Sequence, residues 1–330
     1  MLKFIIYTQV NSFKITPKLI MPQDIRKTTK NLSRFLQSPP SLRLAQVLPI
    51  GIFRSYIHLL GIIYYLTTRK ERKETTSTII SSATNGSNWL KRYLLIFNTY
   101  KGIFDHYFEK LLIATRPSSE MAEYLFRHSR LNDSKWLDVV KAAGRGAILA
   151  TGHMGASEFL PVLLALHGYD IAPLVRYKTA RLREFARQRA EAFGILMVDT
   201  GETNFPLLKA ARAVKEGRIL VYFCDEFKDW VPMSTRQVNV LGSTYPMDKG
   251  LAVLKRVTNA PAAVSVLIRA RNKNRIRYEF FLEPIPEQSE DFISTRAWEI
   301  LQKYVKKYPE QWYKWNEVAK ELAQYKLKVR

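Results

Sequence analysis

The sequence predicts an α/β fold with a mixed, largely parallel central sheet flanked by helices, preceded by an N-terminal apolar, membrane-associating helical segment. Three observations point there. Between residues 147 and 282, short apolar runs alternate with amphipathic stretches at helical period, the pattern of β-α-β units. Almost half of the 330 residues are apolar, enough for one large core. Upstream, Leu44–Leu66 forms a largely apolar run with Pro49, Arg54 and His58 inside it.

The strand candidates are 147–150, 171–175, 195–198, 219–223, 262–268 and 276–282. Most are short, continuous apolar runs rather than alternating ones, as strands buried on both faces should be, while 276–282 carries Arg277 and Glu279 and reads as a partner strand. Between them lie helical stretches: 161–166, the basic 180–193, 205–215 and 250–257, with a last helix at 298–308. Ahead of the alternation, apolar residues at helical spacing from Trp89 to Ile113 predict two helices. Met121–Ser129 reads as another short helix, and 134–143 as a helix capped by Ser134 and stopped by Gly144.

The Leu44–Leu66 run would reach roughly 35 Å as a helix, long enough to cross a bilayer core. Arg54 and His58 weigh against a clean span, because a charge at the bilayer centre costs about 2.5–3.5 kcal/mol. A helix lying in the interface or a kinked insertion is favoured, with a buried core helix as the third reading. The basic run at 69–73 would lie on an anionic membrane surface in either membrane reading. Thr75–Asn88 reads as a loop. The domain division is then an extension over 1–43, a membrane-associating segment and linker over 44–88, and a catalytic domain over 89–330.

Fifty-two Lys+Arg against 29 Asp+Glu give a formal charge of +23. Such a field attracts polyanions: nucleic acid, anionic lipid or an acidic carrier protein. No helix-turn-helix, zinc-finger or RNA-recognition signature accompanies it, so nucleic acid is not an expected partner. A single cysteine, Cys224, excludes an intrachain disulfide and reads as inert core. With five scattered histidines it suggests no metal site.

The chemistry-bearing candidates sit at strand ends. His153 follows the apolar run 147–151, and Asp225 follows 219–224. Reactive groups of parallel sheets gather at such carboxyl ends. Glu158 lies five residues after His153. On one straight helix those positions diverge, so the two meet only if His153 lies in a turn and Glu158 in the first helical turn beyond it. Gly152 and Gly155 allow such a turn, and Gly155 the close approach of a ligand. A histidine held by a carboxylate is a competent general base. Ser157 between them is a lesser nucleophile candidate, outside any G-x-S-x-G elbow. Residues alone also admit a structural histidine, a surface arginine at 176 and a capping or ion-paired Asp225.

The segment TGHMGASEF resembles the His-x4-Asp/Glu box of the lysophospholipid acyltransferase superfamily. More narrowly, GRGAILATGHMGASEF, PLVRYK, EGRILVYFCDEF, VNVLGSTYPMDKGLAVLKRVTNAPAAVSVLIR and the Pro309–Trp312 stretch resemble, in order, the lipid A late acyltransferases and relatives acting on mannosyl glycolipids. The resemblance covers about residues 89–320. It implies a glycerolipid-acyltransferase-like fold and transfer of a fatty acyl group from a thioester to a hydroxyl of a lipid or glycolipid. His153 would be the base and Glu158 its orienting partner. Arg176 would bind acceptor oxygens. Asp225 belongs to a strand-end box in which Glu226 stands where the family carries an amide. Gly242, in the 241–250 segment, would belong to the donor site. The donor would be acyl carrier protein or coenzyme A, with no further cofactor. The expected setting is the cytoplasmic face of a bacterial inner membrane, single-pass or monotopic, with oligomeric state open. A catalytically silent scaffold, a nucleic-acid-binding protein and a hydrolase are the competing readings.

Overall fold

A computed structural model describes residues 35–36, 38–68, 76–80, 88–177, 180–226, 232–270, 277–286, 293–315 and 317–318. Residues 1–34, most of the expected N-terminal extension, and the basic run at 69–73 lie outside the described residues.

The chain enters through α1 (Pro39–Val47) and α2 (Ile50–Thr67), separated at Pro49. That proline has no N–H to donate and restricts the residue before it, so the apolar run becomes two helices rather than one. Next comes α3 (Trp89–Thr115), capped by the Asn88 side chain, which accepts from the Lys91 N–H at 2.9 Å. Two helices were expected over this stretch. It is one helix of 27 residues, and Gly102 within it serves close packing rather than a break. A Cβ at Gly102 would stand 2.1 Å from the Glu310 carbonyl oxygen. The expected 75–88 loop carries a helical turn at 76–80, whose Ile79 is buried in the core.

The α/β domain follows: α4 (Ser118–His128), β1 (Ser129–Leu131), α5 (Lys135–Ala142), β2 (Ala147–Thr151), a 3-10 turn (Ser157–Phe159), α6 (Leu160–Leu166), β3 (Ile171–Val175), α7 (Ala180–Ala192), β4 (Val198–Asp199), α8 (Pro206–Lys215) and β5 (Ile219–Phe223). A hairpin of β6 (Pro232–Val240) and β7 (Ser243–Asp248) leads to α9 (Lys249–Thr258), β8 (Ala262–Arg269), β9 (Tyr278–Ile285), α10 (Ile293–Lys307) and a 3-10 turn at Pro309–Gln311. The seven-stranded sheet runs β1-β9-β8-β2-β5-β3-β4. All its pairs are parallel except β8 with β9. The mixed, largely parallel sheet flanked by helices is therefore as expected. Strand β1 and the β6–β7 hairpin were not anticipated, and Ser134 does not cap α5 through its side chain.

Alternate residues of the central strands serve two cores. Ala147, Leu149 and Val221 face the core shared with α2, α3 and α6; Ile148, Ala150 and Leu220 face that of α8, α9 and α10. The sheet is thus covered on both faces, as a parallel sheet requires.

Helix α2 packs along α3 through Phe53, Ile57 and Gly61, each apolar side chain contributing about 1.5–3 kcal/mol on burial. Gly61 is needed there, since a Cβ would lie 2.7 Å from the Phe104 ring. The two groups that opposed a membrane span also point inward. Arg54 Nη2 and His58 Nε2 both reach Asp105 Oδ1 of α3, at 2.8 and 2.9 Å. The opposite face of α2 presents Ile52, Leu59, Ile62, Ile63 and Leu66 to the outside, beside Trp89 and Leu94 on the first half of α3. The segment is therefore a helix with its charges turned onto the protein and its apolar face turned out.

Candidate active site

Strand register brings the site together. β2 and β5 are adjacent and parallel, with Thr151 opposite Phe223. Two residues further on, the same offset places His153 opposite Asp225. Gly152 permits the close passage: a Cβ there would lie 3.0 Å from Asp225 Oδ2 and 2.7 Å from Leu301. Gly155 then turns the chain at φ +58°, tucked against β8, where a Cβ would meet the Leu267 carbonyl oxygen at 2.0 Å. Its expected closeness to a ligand is instead closeness to the protein backbone.

The carboxylate that holds His153 is Asp225, not Glu158. His153 Nδ1 lies 2.8 Å from Asp225 Oδ1, and the His153 backbone N–H donates to Oδ2 at 2.7 Å. Trp312 Nε1–H donates to the same Oδ2 at 2.9 Å. Asp225 is fully buried. Burial alone pushes its carboxyl up, but His153, Lys314 and the Trp312 indole outweigh that and hold it below the usual carboxylate range. An anionic acceptor here fixes the ring with a hydrogen on Nδ1 and Nε2 facing the other way. The C-terminal strap locks this turn from outside: the Tyr313 N–H donates to the His153 carbonyl, and the Gly155 N–H to the Gln311 carbonyl, both at 2.9 Å.

Glu158 occupies the expected first turn after the loop, within the 3-10 turn. It makes no hydrogen bond to His153. Its Oε1 accepts from Lys110 Nζ at 3.1 Å and lies 3.3 Å from His106 Nε2, both on α3. The reason is reach: the bend at Gly155 carries Glu158 toward α3, while parallel register has already filled Nδ1. His106 is buried, and burial together with Lys110 and other neighbouring cations drives its pKa well below the histidine range. It is neutral, so Lys110 supplies the charge opposite Glu158.

His153 Nε2 faces a cavity of about 520 Å³, a size typical of small-molecule sites. His153, Glu158, Arg176 and Glu226 line it, with apolar walls from Leu182, Ala186 and Ala190 of α7. Arg176 therefore falls at the site, one residue beyond β3, the strand neighbouring β5. Gly242 does not. It forms the tip of the β6–β7 hairpin at φ +86°, its N–H donating to Asn239 Oδ1 at 2.9 Å, away from the cavity lining. Ser157 lines the cavity, but among the described residues its buried Oγ has no hydrogen-bond partner, the base a nucleophile would need included. Cys224 is buried, and burial followed by the Asp225 charge pushes its thiol well up, as inert core requires.

Sequence reasoning missed His106, Lys110, Trp312 and Lys314. The first two are polar residues four apart on the inner face of α3, a discernible departure from an apolar stripe. Trp312 closes the Pro309–Trp312 stretch that carried part of the resemblance, but some ninety residues separate it and Lys314 from Asp225, so nothing local tied either to that carboxylate.

No curated protein matches the chain. Residues 41–316, however, match the sequence model of the bacterial lipid A biosynthesis acyltransferases. A span of that extent, covering α1 through the strap that buries Asp225, shows that the chain belongs to this acyltransferase family.

Proposed function

We propose that the protein is a membrane-associated O-acyltransferase that moves a fatty acyl group from an acyl thioester to a hydroxyl of a lipid or glycolipid. One observation carries the reading: His153, held at Nδ1 by a buried carboxylate, turns Nε2 into a cavity with apolar walls. Nε2 takes the acceptor's hydroxyl proton as the oxygen attacks the thioester carbonyl. The tetrahedral intermediate collapses, the carbon–sulfur bond breaks, and the imidazolium gives its proton to the departing thiolate, which leaves as the thiol. Asp225 positions the ring and stabilises its charged form. Glu158 and Lys110 form a neutralised polar wall beside the reacting atoms, and Arg176 offers a cation to acceptor phosphate or sugar oxygens. The apolar walls suit the acyl chain.

The outward apolar face of α2 and α3 supports a monotopic seat on a membrane, in a family that is generally membrane-associated in bacteria. For the donor, α8 is the stronger docking surface for an acidic acyl carrier protein. Lys209, Arg212 and Lys215 are exposed, next to exposed Phe205 and Leu208, while Leu207 lines the cavity. On α7, by contrast, Arg183 is bound to Asp199 and Arg187 to Glu184 and Glu191. Coenzyme A thioesters are the other donor class.

The test is His153→Ala, assayed for transfer of radiolabelled palmitate from palmitoyl thioesters to glycolipid extracts. Loss of at least a thousandfold in turnover is expected. Turnover equal to the wild type would sink the proposal.

A further inference from the structure

His153 offers Nε2 to the cavity, yet that nitrogen is already engaged. Glu226 Oε1 lies 3.2 Å from it. The carboxylate oxygen therefore stands against Nε2 on the cavity wall, in the place an acceptor hydroxyl would need.

We propose that Glu226 is a positioning residue that occupies the acceptor's seat on His153 in the empty site and yields it when a hydroxyl-bearing acceptor enters. The inference rests on the general-base reading above and deepens it. The two neighbouring carboxylates differ in what they can do. Asp225 is fully buried and accepts three hydrogen bonds, so it stays. Glu226 is partly exposed on the cavity wall, and its two oxygens are divided. Oε2 is anchored by Lys314 Nζ at 2.8 Å, while Oε1 alone covers the ring. Lys314 is itself buried and further held by Glu317 at 3.0 Å. Rotation about that anchored oxygen uncovers Nε2 without breaking the ion pair.

The charged and titratable surroundings favour this division. The ring faces Asp225 and Glu226, with His106 and Tyr313 each 6.2 Å away between ring centres and Phe223 packed against it. Glu226 faces Lys314 and feels Lys110, whose own direct partner is Glu158. Entry of the acceptor displaces Oε1, and Nε2 is then free for the acceptor's own proton. That proton is passed to sulfur as the thiol leaves, so no proton is consumed in transfer. Acceptor binding is thereby a competition against an internal carboxylate.

The experiment uses the full-length protein in detergent, with Glu226→Ala, Glu226→Gln and His153→Ala. Diethyl pyrocarbonate acylates an unprotonated, accessible imidazole nitrogen and needs no substrate. Peptide mass spectrometry follows each histidine. Reaction of His153 about tenfold faster in both Glu226 variants than in the wild type is expected at pH 7, with His128 and His167 unchanged. In palmitoyl transfer to a glycolipid extract, the acceptor KM should fall several-fold. Equal His153 labelling in all Glu226 forms overturns the proposal, whether or not the wild type transfers acyl groups. So does a fall of more than tenfold in kcat/KM for Glu226→Gln, because glutamate would then be needed in the chemistry. Transfer surviving in His153→Ala instead overturns the general-base reading, and it is scored in a separate variant.

Discussion

Two histidine–aspartate pairs in this molecule have nearly the same geometry and different surroundings. His58 Nε2 lies 2.9 Å from Asp105, and His153 Nδ1 lies 2.8 Å from Asp225. The first pair fastens α2 to α3. Arg54 shares its carboxylate oxygen, and it lies outside the cavity lining. Beside it a second buried pair, Arg269 with Glu109, makes two contacts of 2.7 Å. The other histidine pair sits at the ends of adjacent central strands, and Asp225 bonds no arginine among the described residues. Its imidazole gives Nδ1 to the carboxylate and keeps Nε2 for the cavity. A histidine–carboxylate contact is therefore not a general base by itself. What distinguishes the base is which nitrogen is spent and what the other one faces.

Exchanging each aspartate for its amide should separate the two roles most sharply. Asp225→Asn should lower kcat by about a thousandfold or more, since an amide cannot fix the tautomer or stabilise the imidazolium. Asp105→Asn should leave turnover per folded molecule within a few-fold but cost about 3–5 kcal/mol in urea unfolding, the usual effect of breaking a buried ion cluster. Similar losses of turnover in both would erase the distinction.

Much of this contrast was legible in the residues, and the missing part has a physical cause. His153 and Asp225 were both recognised as strand-end residues because continuous apolar runs mark buried parallel strands. Their contact was not recognised, because seventy-two residues separate them and only the β2–β5 register brings them together. Glu158 was favoured as the partner because proximity in sequence is visible and strand order is not. The charges of α2 were read against water or lipid, when Asp105 was their partner all along. The single helix α3 was divided in expectation, because a sequence does not show that Gly102 lies against the Glu310 carbonyl. Arg176 was placed at the site through resemblance, and β3 does deliver it to the cavity. Gly242 was placed by the same route, but its hairpin turn accounts for it.

Glu158 tests the next level of the comparison. Bonded to Lys110 and beside neutral His106, it shapes the cavity wall without fixing the ring. Glu158→Gln should therefore reduce kcat/KM by about tenfold, far less than Asp225→Asn, with Lys110→Met giving a similar loss. A thousandfold loss in Glu158→Gln would restore it as the partner of His153.

The Asp105 cluster also has a pH signature. Burial would raise its carboxyl, but His58, Arg269 and Arg54 together hold it below the usual range. A carboxylate depressed in the folded state adds stability that is present above the unfolded value of about 3.9, and is lost as pH falls toward the folded value. Wild-type urea midpoints should therefore drop more steeply below about pH 4 than those of Asp105→Asn. Parallel curves would show that the cluster is not ionised as drawn.

The smallest effect on the folded protein should come from the outer face of the same helix. Ile62 and Ile63 are close to half exposed, so replacing them by polar residues removes little buried surface. A double substitution Ile62→Ser with Ile63→Lys should change unfolding free energy by about 0.5 kcal/mol or less. Partition onto vesicles, however, scales with the apolar area that enters the interface. The variant should leave phosphatidylglycerol-containing vesicles several-fold more readily in flotation, while detergent-solubilised turnover stays near that of the wild type. Unaltered flotation would move the membrane contact off this face of α2, leaving Arg54 and His58 as an internal clasp with no bearing on the lipid. A large loss of stability instead would mean that the outward face packs against protein, and the inside-out arrangement of α2 would lose its reason.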